Sequence, residues 1–396
     1  HQMRHLRRTR HLVTGDRDRI TTGVALILLS HCLPGYGDLR PKGEDILLPE
    51  LDRQILADGG HISRNPETLL LILRDLITLK KVQLGVGEPP QPALLNAIDR
   101  AVPTIKMLRL GDGGLAMFNG GNDGPPDWVE QTLKRAGNRG KASLSAPYTG
   151  YERLASGHTE IVVDTGGLDG RLPQGHASLL AFEMSHRRER VIVSTGNARP
   201  PHPDWQAASA TTAAHSTLVL ADTNSRSTPE QGGKRRSAQQ ETARSETPDE
   251  TILDLQHTGY ADRFGAVHLR QLALRQDGLK LSGTDTIDIG TGGRHERVLP
   301  IAIRFHLHPD AQVTMAQGGD TAIIQLKSRR GWRFHVAGAE LTLEPDVHLG
   351  DGRPRRSQQI LLTGDTSRSP TRIHWTLEAM ERTDNKTTET QKGMFE

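Results

Sequence analysis

Residues 57–67, ADGGHISRNPE, place two glycines, a histidine, an arginine and an Asn-Pro pair between two helical stretches. A turn between helices uses the glycines for unusual backbone angles and Asn65-Pro66 to open the next helix. His61 and Arg64 are surplus to that task. An imidazole exchanges a proton near neutral pH, and a guanidinium pairs with carboxylates through a rigid fork of donors. Three residues apart, the two could face one cleft and handle an acidic ligand. The alternative is architectural, with His61 capping a helix and Arg64 paired with Glu67 or Asp58.

Other reactive side chains give weaker signals. His306 and His308 in RFHLHP share a strand and, by alternation, a face. No carboxylate or third histidine accompanies them in the sequence, so they are expected to face solvent or an interface. GDGG and GTGG lack the strand-to-helix setting of a nucleotide fingerprint. Cys32 is the single cysteine; it has no internal disulfide partner, and its place in VALILLSHCL reads as a buried thiol. The redox compartment is therefore open, as is localisation between a bacterial periplasm and cytoplasm.

The elements that must position these groups change along the chain. Segments 19–33, 45–56, 66–84 and 92–110 carry apolar residues at three-and-four spacing and predict antiparallel helical hairpins. Asn65 predicts the N-cap of the third, with Pro66 in its first turn and Glu67 complementing the helix dipole. Hairpin loops such as 57–64 collect on one face of a layered or toroidal α/α domain. Between 111 and 150 the chain is dense in Gly, Asn, Asp and Pro, which reads as a boundary or a long functional loop. From 150 to 380, short alternating runs such as TEIVVDTG, ERVIVSTG and IAIRFHLHP predict ten or more antiparallel strands, too many for one open sheet. Residues 222–250 read as a polar exposed excursion and the last residues as a disordered tail. The expected class is a multidomain α+β chain. It has a helical domain (1–120), a linker or cleft loop (121–150), a β-sandwich (151–382) and a tail (383–396).

Composition narrows the partners. The 396 residues, 35% hydrophobic and 24% charged, suit two domains. No run of about 18 apolar residues predicts a membrane span. A net charge of +3 arises from basic residues scattered among nearly as many acids, which gives no nucleic-acid signature. An acidic polysaccharide or oligosaccharide is compatible with that balance.

DGGHISRNPE (58–67), GHASLLAFEMS (175–185), RVIVSTG (190–196) and ATTAAHSTLVLADTNS (210–225), in this order and spacing, resemble the heparinase II/III family. HTGYADRFGAVHLRQL (257–272) and IRFHLHPD (303–310) extend the resemblance over nearly the whole chain. It implies an α/α-toroid joined to a β-sandwich, with β-elimination of a uronic-acid polysaccharide in the cleft between them. That chemistry neutralises a carboxylate, removes the proton α to it, and protonates the departing oxygen. It requires no cofactor.

By this resemblance His61, Arg64 and His176 are catalytic candidates, Arg64 neutralising the carboxylate and His61 acting as base or substrate holder. His176 and His215 match ligands of a structural metal, zinc or calcium. The expected acidic ligand falls at Ser194, which leaves the set incomplete. Thr68 stands where active members carry a tyrosine, and GDRDRIT (15–21) where they carry an asparagine. Tyr151 or Tyr148 is the available phenol, Arg17 or Arg19 the substitute cation, and Asn65, Arg19 and Asn119 complete the expected substrate contacts. The toroid also has fewer hairpins than the family implies, so truncation at the N-terminus and homo-oligomerisation over the exposed helical faces are both expected. Three readings follow: a polysaccharide lyase, a catalytically inactive binder of acidic glycans, and a scaffold of the bacterial envelope.

Overall fold

The computed structural model describes residues 2–137, 140–166, 175–227, 238–290 and 298–380. The tail, and residues 228–237 of the polar excursion, lie outside the described residues.

The first 135 residues build a helical layer of α1 (Gln2–Thr9), α2 (Asp16–Cys32), α3 (Leu39–Gln54), α4 (Pro66–Gly85), α5 (Pro92–Met107) and α6 (Pro126–Arg135). Helix α4 starts as its sequence predicts. The Asn65 side chain accepts from the Thr68 amide at 3.0 Å, and Pro66 needs no amide partner in the first turn. Helix α3 begins well before residue 45, because its polar first half is helical and still packs on α2. Gly23 and Gly43 make that approach close: a Cβ on Gly43 would stand 2.8 Å from the Gly23 carbonyl. Cys32 ends α2 exposed rather than buried, since it falls past the apolar stretch that faces the core.

Two antiparallel sheets follow. The first runs β1 (Ser145–Ala146), β2 (Tyr151–Ser156), β3 (Thr159–Asp164), β4 (Phe182–His186), β5 (Glu189–Val193), β11 (Pro300–Leu307), β16 (Arg355–Asp365), β15 (Glu340–His348), with β6 (Leu218–Leu220) also paired to β11. The second runs β12 (Gln312–Met315), β13 (Thr321–Gln325), β14 (Gly331–Ala337), β17 (Thr371–Ala379), β10 (Lys280–Ile289), β9 (Ala266–Arg275), β8 (Glu250–His257), β7 (Gln240–Glu246). Part of the expected excursion is thus β7, an edge strand whose exposed Glu241 and Glu246 blunt further pairing.

The first sheet is covered on both faces. On β3, Ile161 and Val163 enter the core between the sheets, while Val162 joins Tyr151, Ala146 and Ala181 in the core of the helical layer. The second sheet is covered on one face, and β8 and β14 alternate buried and open positions accordingly. The molecule is therefore a helix–sheet–sheet stack, and the seam between its first two layers is where the candidate residues meet.

Candidate functional site

The DGG turn is built for contact. Gly59 has φ +83°, and a Cβ there would meet the Arg100 carbonyl at 1.9 Å; one on Gly60 would meet Thr149 Oγ1 at 1.8 Å. Asp58 accepts from the Thr149 amide at 2.7 Å and its hydroxyl at 2.6 Å, which ties the loop to the chain entering β2. His61 sits behind this turn with 2% exposure. Its Nδ1 accepts from the Ser63 amide at 3.1 Å, so Nε2 carries the proton and donates to Gln54 Oε1 at 2.8 Å. Burial lowers its pKa to about 4. The ring is neutral with both nitrogens engaged by Ser63 and Gln54, and it does not cap a helix.

Arg64 turns inward as well. Its backbone is left-handed, φ +57°, and its guanidinium is ion-paired with Asp164 of β3, not with Glu67 or Asp58. It also donates to the Thr149 carbonyl at 2.6 Å and the Gly150 carbonyl at 3.0 Å. Its charge lies 5.1 Å from the centre of the Tyr151 ring. Tyr151 is fully buried; its hydroxyl donates to the Arg64 carbonyl and accepts from Asn119 Nδ2 at 2.9 Å. Burial pushes that phenol well above its usual range. Asn119, also left-handed at φ +53°, accepts from the His176 amide at 3.1 Å. Left-handed non-glycine residues cost about 1–3 kcal/mol each, and Arg64 and Asn119 both lie at this seam.

The remaining candidates divide. Arg19 is ion-paired with Glu50, which also accepts from Gln54, so its charge is committed within the helical layer. Tyr148 is half exposed and Thr68 sits in the first turn of α4. His306 is not solvent-facing: Asp346 lies 2.8 Å from its Nδ1, and its Nε2 donates to the Ala213 carbonyl at 2.9 Å. Asp346 lies forty residues downstream on β15, beyond the neighbourhood that local sequence reading inspects.

His176 and His215 do meet. His176 Nδ1 lies 3.3 Å from His215 Nε2, and His215 Nδ1 lies 3.1 Å from Ser194 Oγ. Burial lowers both imidazole pKa values, that of His176 to about 4. Behind Ser194 stands Glu183, which accepts from the Ser194 amide at 3.2 Å and the Met117 amide at 2.9 Å, and burial raises its pKa to about 7. Among the described residues no group of three or more His, Cys, Asp or Glu could hold a metal ion. Two imidazoles backed by a serine hydroxyl do not supply zinc's usual donor set, so the residues present do not fit the metal that the resemblance implies.

One small space stays polar. A Cβ on Gly120 would lie 3.5 Å from His176 Nε2, 3.7 Å from Asn197 Nδ2 and 3.8 Å from Asn65 Nδ2. Gly120 thus leaves room where an imidazole and two amides converge. Arg226 borders the same region, its Nη1 3.2 Å from a Cβ on Gly175. Asn197, Arg226 and Asp164 escape the sequence reading. The first two directly follow recognised stretches (190–196 and 210–225), and adjacency to those stretches was the available signal.

This stack, a helical layer seated on a two-sheet sandwich with the seam between them, is the architecture of heparinase-type proteins. The family described as Heparinase II/III-like, C-terminal matches residues 138–376, and the chain belongs to this polysaccharide lyase-like family. It superposes on a mutant of the heparan sulfate lyase of Pedobacter heparinus with a TM-score of 0.73, at 13% identity over 91% of this chain and 60% of that one. A heparinase III structure gives 0.70 at 15% identity, covering 91% and 61%. Among curated proteins, FtsZ-localized protein C of Caulobacter vibrioides is 31% identical over 336 residues, which is 80% of this chain and 57% of that protein. The chain spans roughly three-fifths of the length of these relatives. Among the described residues, no helix is long and apolar enough to cross a membrane.

Proposed function

We propose that this chain binds an acidic glycan at the seam without cleaving it, and serves as a scaffold rather than a lyase. The observation that carries this reading is the commitment of Arg64. A carboxylate-neutralising cation must be free to meet substrate, and this one is buried against Asp164 and two carbonyls. His61 and Tyr151 are spent in the same way, so these three do not line the small space at Gly120, which His176 and Arg226 border instead. What remains around Gly120 is a set of amides and one imidazole nitrogen, with Arg226 at the border. Such groups can hold a sugar hydroxyl or carboxylate.

The resemblance to FtsZ-localized protein C, whose name describes localisation rather than catalysis, favours the scaffold side of the proposal. Calorimetric titration with heparan sulfate, alginate and bacterial exopolysaccharide fragments tests the binding. Saturable, salt-sensitive binding is expected, weakened by Arg226→Ala or His176→Ala and unchanged by His61→Ala. Absence of binding across the panel, together with co-sedimentation on FtsZ filaments, would leave the scaffold role and remove the glycan.

A further inference from the structure

Beyond the seam, the following turns of α4 form a trough with α6. Leu71, Arg74, Ile77 and Lys81 line it from α4, Trp128 and Arg135 from α6, and it encloses about 320 Å³. Positions 71, 74, 78 and 81 share one helical face, as do 128, 132 and 135. Ten helical rises of α4, from Leu71 to Lys81, make the trough about 15 Å long.

Its side chains are not those of an ordinary solvated face. Trp128 is 45% exposed, and the Arg74 guanidinium lies over its ring, 4.0 Å from the centroid. That stacking holds an aromatic surface and a cation side by side in water. Lys81 and Arg135 are exposed at the rim. The one lining carboxylate, Asp75, accepts from Thr21 of α2 at 3.3 Å, and Arg17 and Arg74 both act on its charge. The trough is therefore cationic with an apolar floor of Leu71 and Ile77.

The polar contacts of the lining come from its cations rather than its hydroxyls. Thr78 Oγ1 donates to the Arg74 carbonyl at 2.8 Å, and Thr132 Oγ1 to the Trp128 carbonyl at 2.6 Å. Both donors are spent inside their own helices, and the lining carries no side-chain amide. An amphipathic peptide needs an apolar floor and complementary charge, and this lining supplies both in Leu71 and Ile77 beside Arg74, Lys81 and Arg135. We propose that this trough docks an acidic peptide segment of a partner protein, with an apolar side chain on Trp128, Leu71 and Ile77 and carboxylates on Arg74, Lys81 and Arg135. The proposal extends the scaffold reading by giving it a partner surface, and it holds whether or not the seam binds glycan.

Displayed random peptides of about twelve residues, enough helix to span the trough, would be panned on the intact chain, and the enriched sequences measured by fluorescence anisotropy. Enriched peptides should combine Glu or Asp with apolar residues at helical spacing. Lys81→Glu with Arg135→Glu, both at exposed positions, should weaken them roughly tenfold or more without moving the melting temperature, and Trp128→Ala should do the same. Enrichment without acidic residues, or binding indifferent to both variants, would overturn the proposal. Heparan sulfate fragments that bind with the same dependence on Lys81, Arg135 and Trp128 would assign the trough to a glycan instead. Seam binding lost through Arg226→Ala would leave the peptide measurement unaffected, so the two proposals fail separately.

Discussion

Two pairs of histidines within hydrogen-bond distance of each other, one in the sandwich core and one at the seam, end differently. In the sandwich core, the Gly259 amide donates to His257 Nδ1 at 3.0 Å, His257 Nε2 donates to His268 Nδ1 at 3.1 Å, and His268 Nε2 donates to Asp285 at 2.7 Å. Arg270 pairs with both oxygens of Asp285 at 2.7 and 3.0 Å, and the Trp375 indole donates at 2.9 Å. Despite its burial, that partner set holds the Asp285 carboxyl far below the usual range. Every position in this relay is filled. The pair at the seam, His176 and His215, runs instead into a serine and a buried glutamate, and its outer nitrogen faces the bare side of Gly120. A relay closed at both ends fixes structure; one open at an end leaves a group for a ligand.

That contrast can be broken in graded steps. Asp285→Asn leaves Arg270 buried beside a neutral amide and should cost the most, about 3–5 kcal/mol by denaturant unfolding. Arg64→Ala, which strands Asp164 at the seam, should cost about 3 kcal/mol and raise hydrogen exchange in α4 and β2–β3 before it does so in β9–β10. In the next pair, His268→Gln should cost roughly 2 kcal/mol, against about 1 kcal/mol or less for His176→Gln, because only the first leaves a buried carboxylate short of a donor. Equal costs would mean that the seam relay is as structural as the core one.

The same groups set the pH dependence of stability. His61 and His176 have folded pKa values near 4 against 6.5 for the free imidazole. Their stabilising share is complete above pH 6.5 and is lost as pH falls towards 4. Glu183, raised to about 7, acts in reverse: its share is largest below the ordinary glutamate range and declines as pH rises through 7. His61→Gln should flatten the acid limb of the stability profile, and Glu183→Gln should flatten the neutral limb.

The layers and the start of α4 were legible because their signals are local: three-and-four spacing, strand alternation, and the Asn65-Pro66 cap. The DGG turn was legible as a special backbone, though its purpose was not. The fate of Arg64 was hidden, since Asp164 lies a hundred residues away on β3, and no spacing rule links them. A separation of forty residues likewise hid Asp346 behind His306. The early start of α3 was missed because LRPKGED offers no apolar periodicity, and Gly43 packs there by absence of a side chain. Arg64, Tyr151, Asn119, His176 and His215, singled out by the family resemblance, meet at the seam, while the contacts that decide their chemistry are tertiary.

The central claim is that His61, Arg64 and Tyr151 at the seam are committed to structure rather than to catalysis. Single-turnover assay, with the protein in molar excess over fluorescently labelled acidic oligosaccharides of several classes, tests it most directly. The account predicts bound but uncleaved oligosaccharide, with no unsaturated uronide at any time point. Cleavage that yields an unsaturated end and disappears in Arg64→Ala and His176→Ala would contradict it.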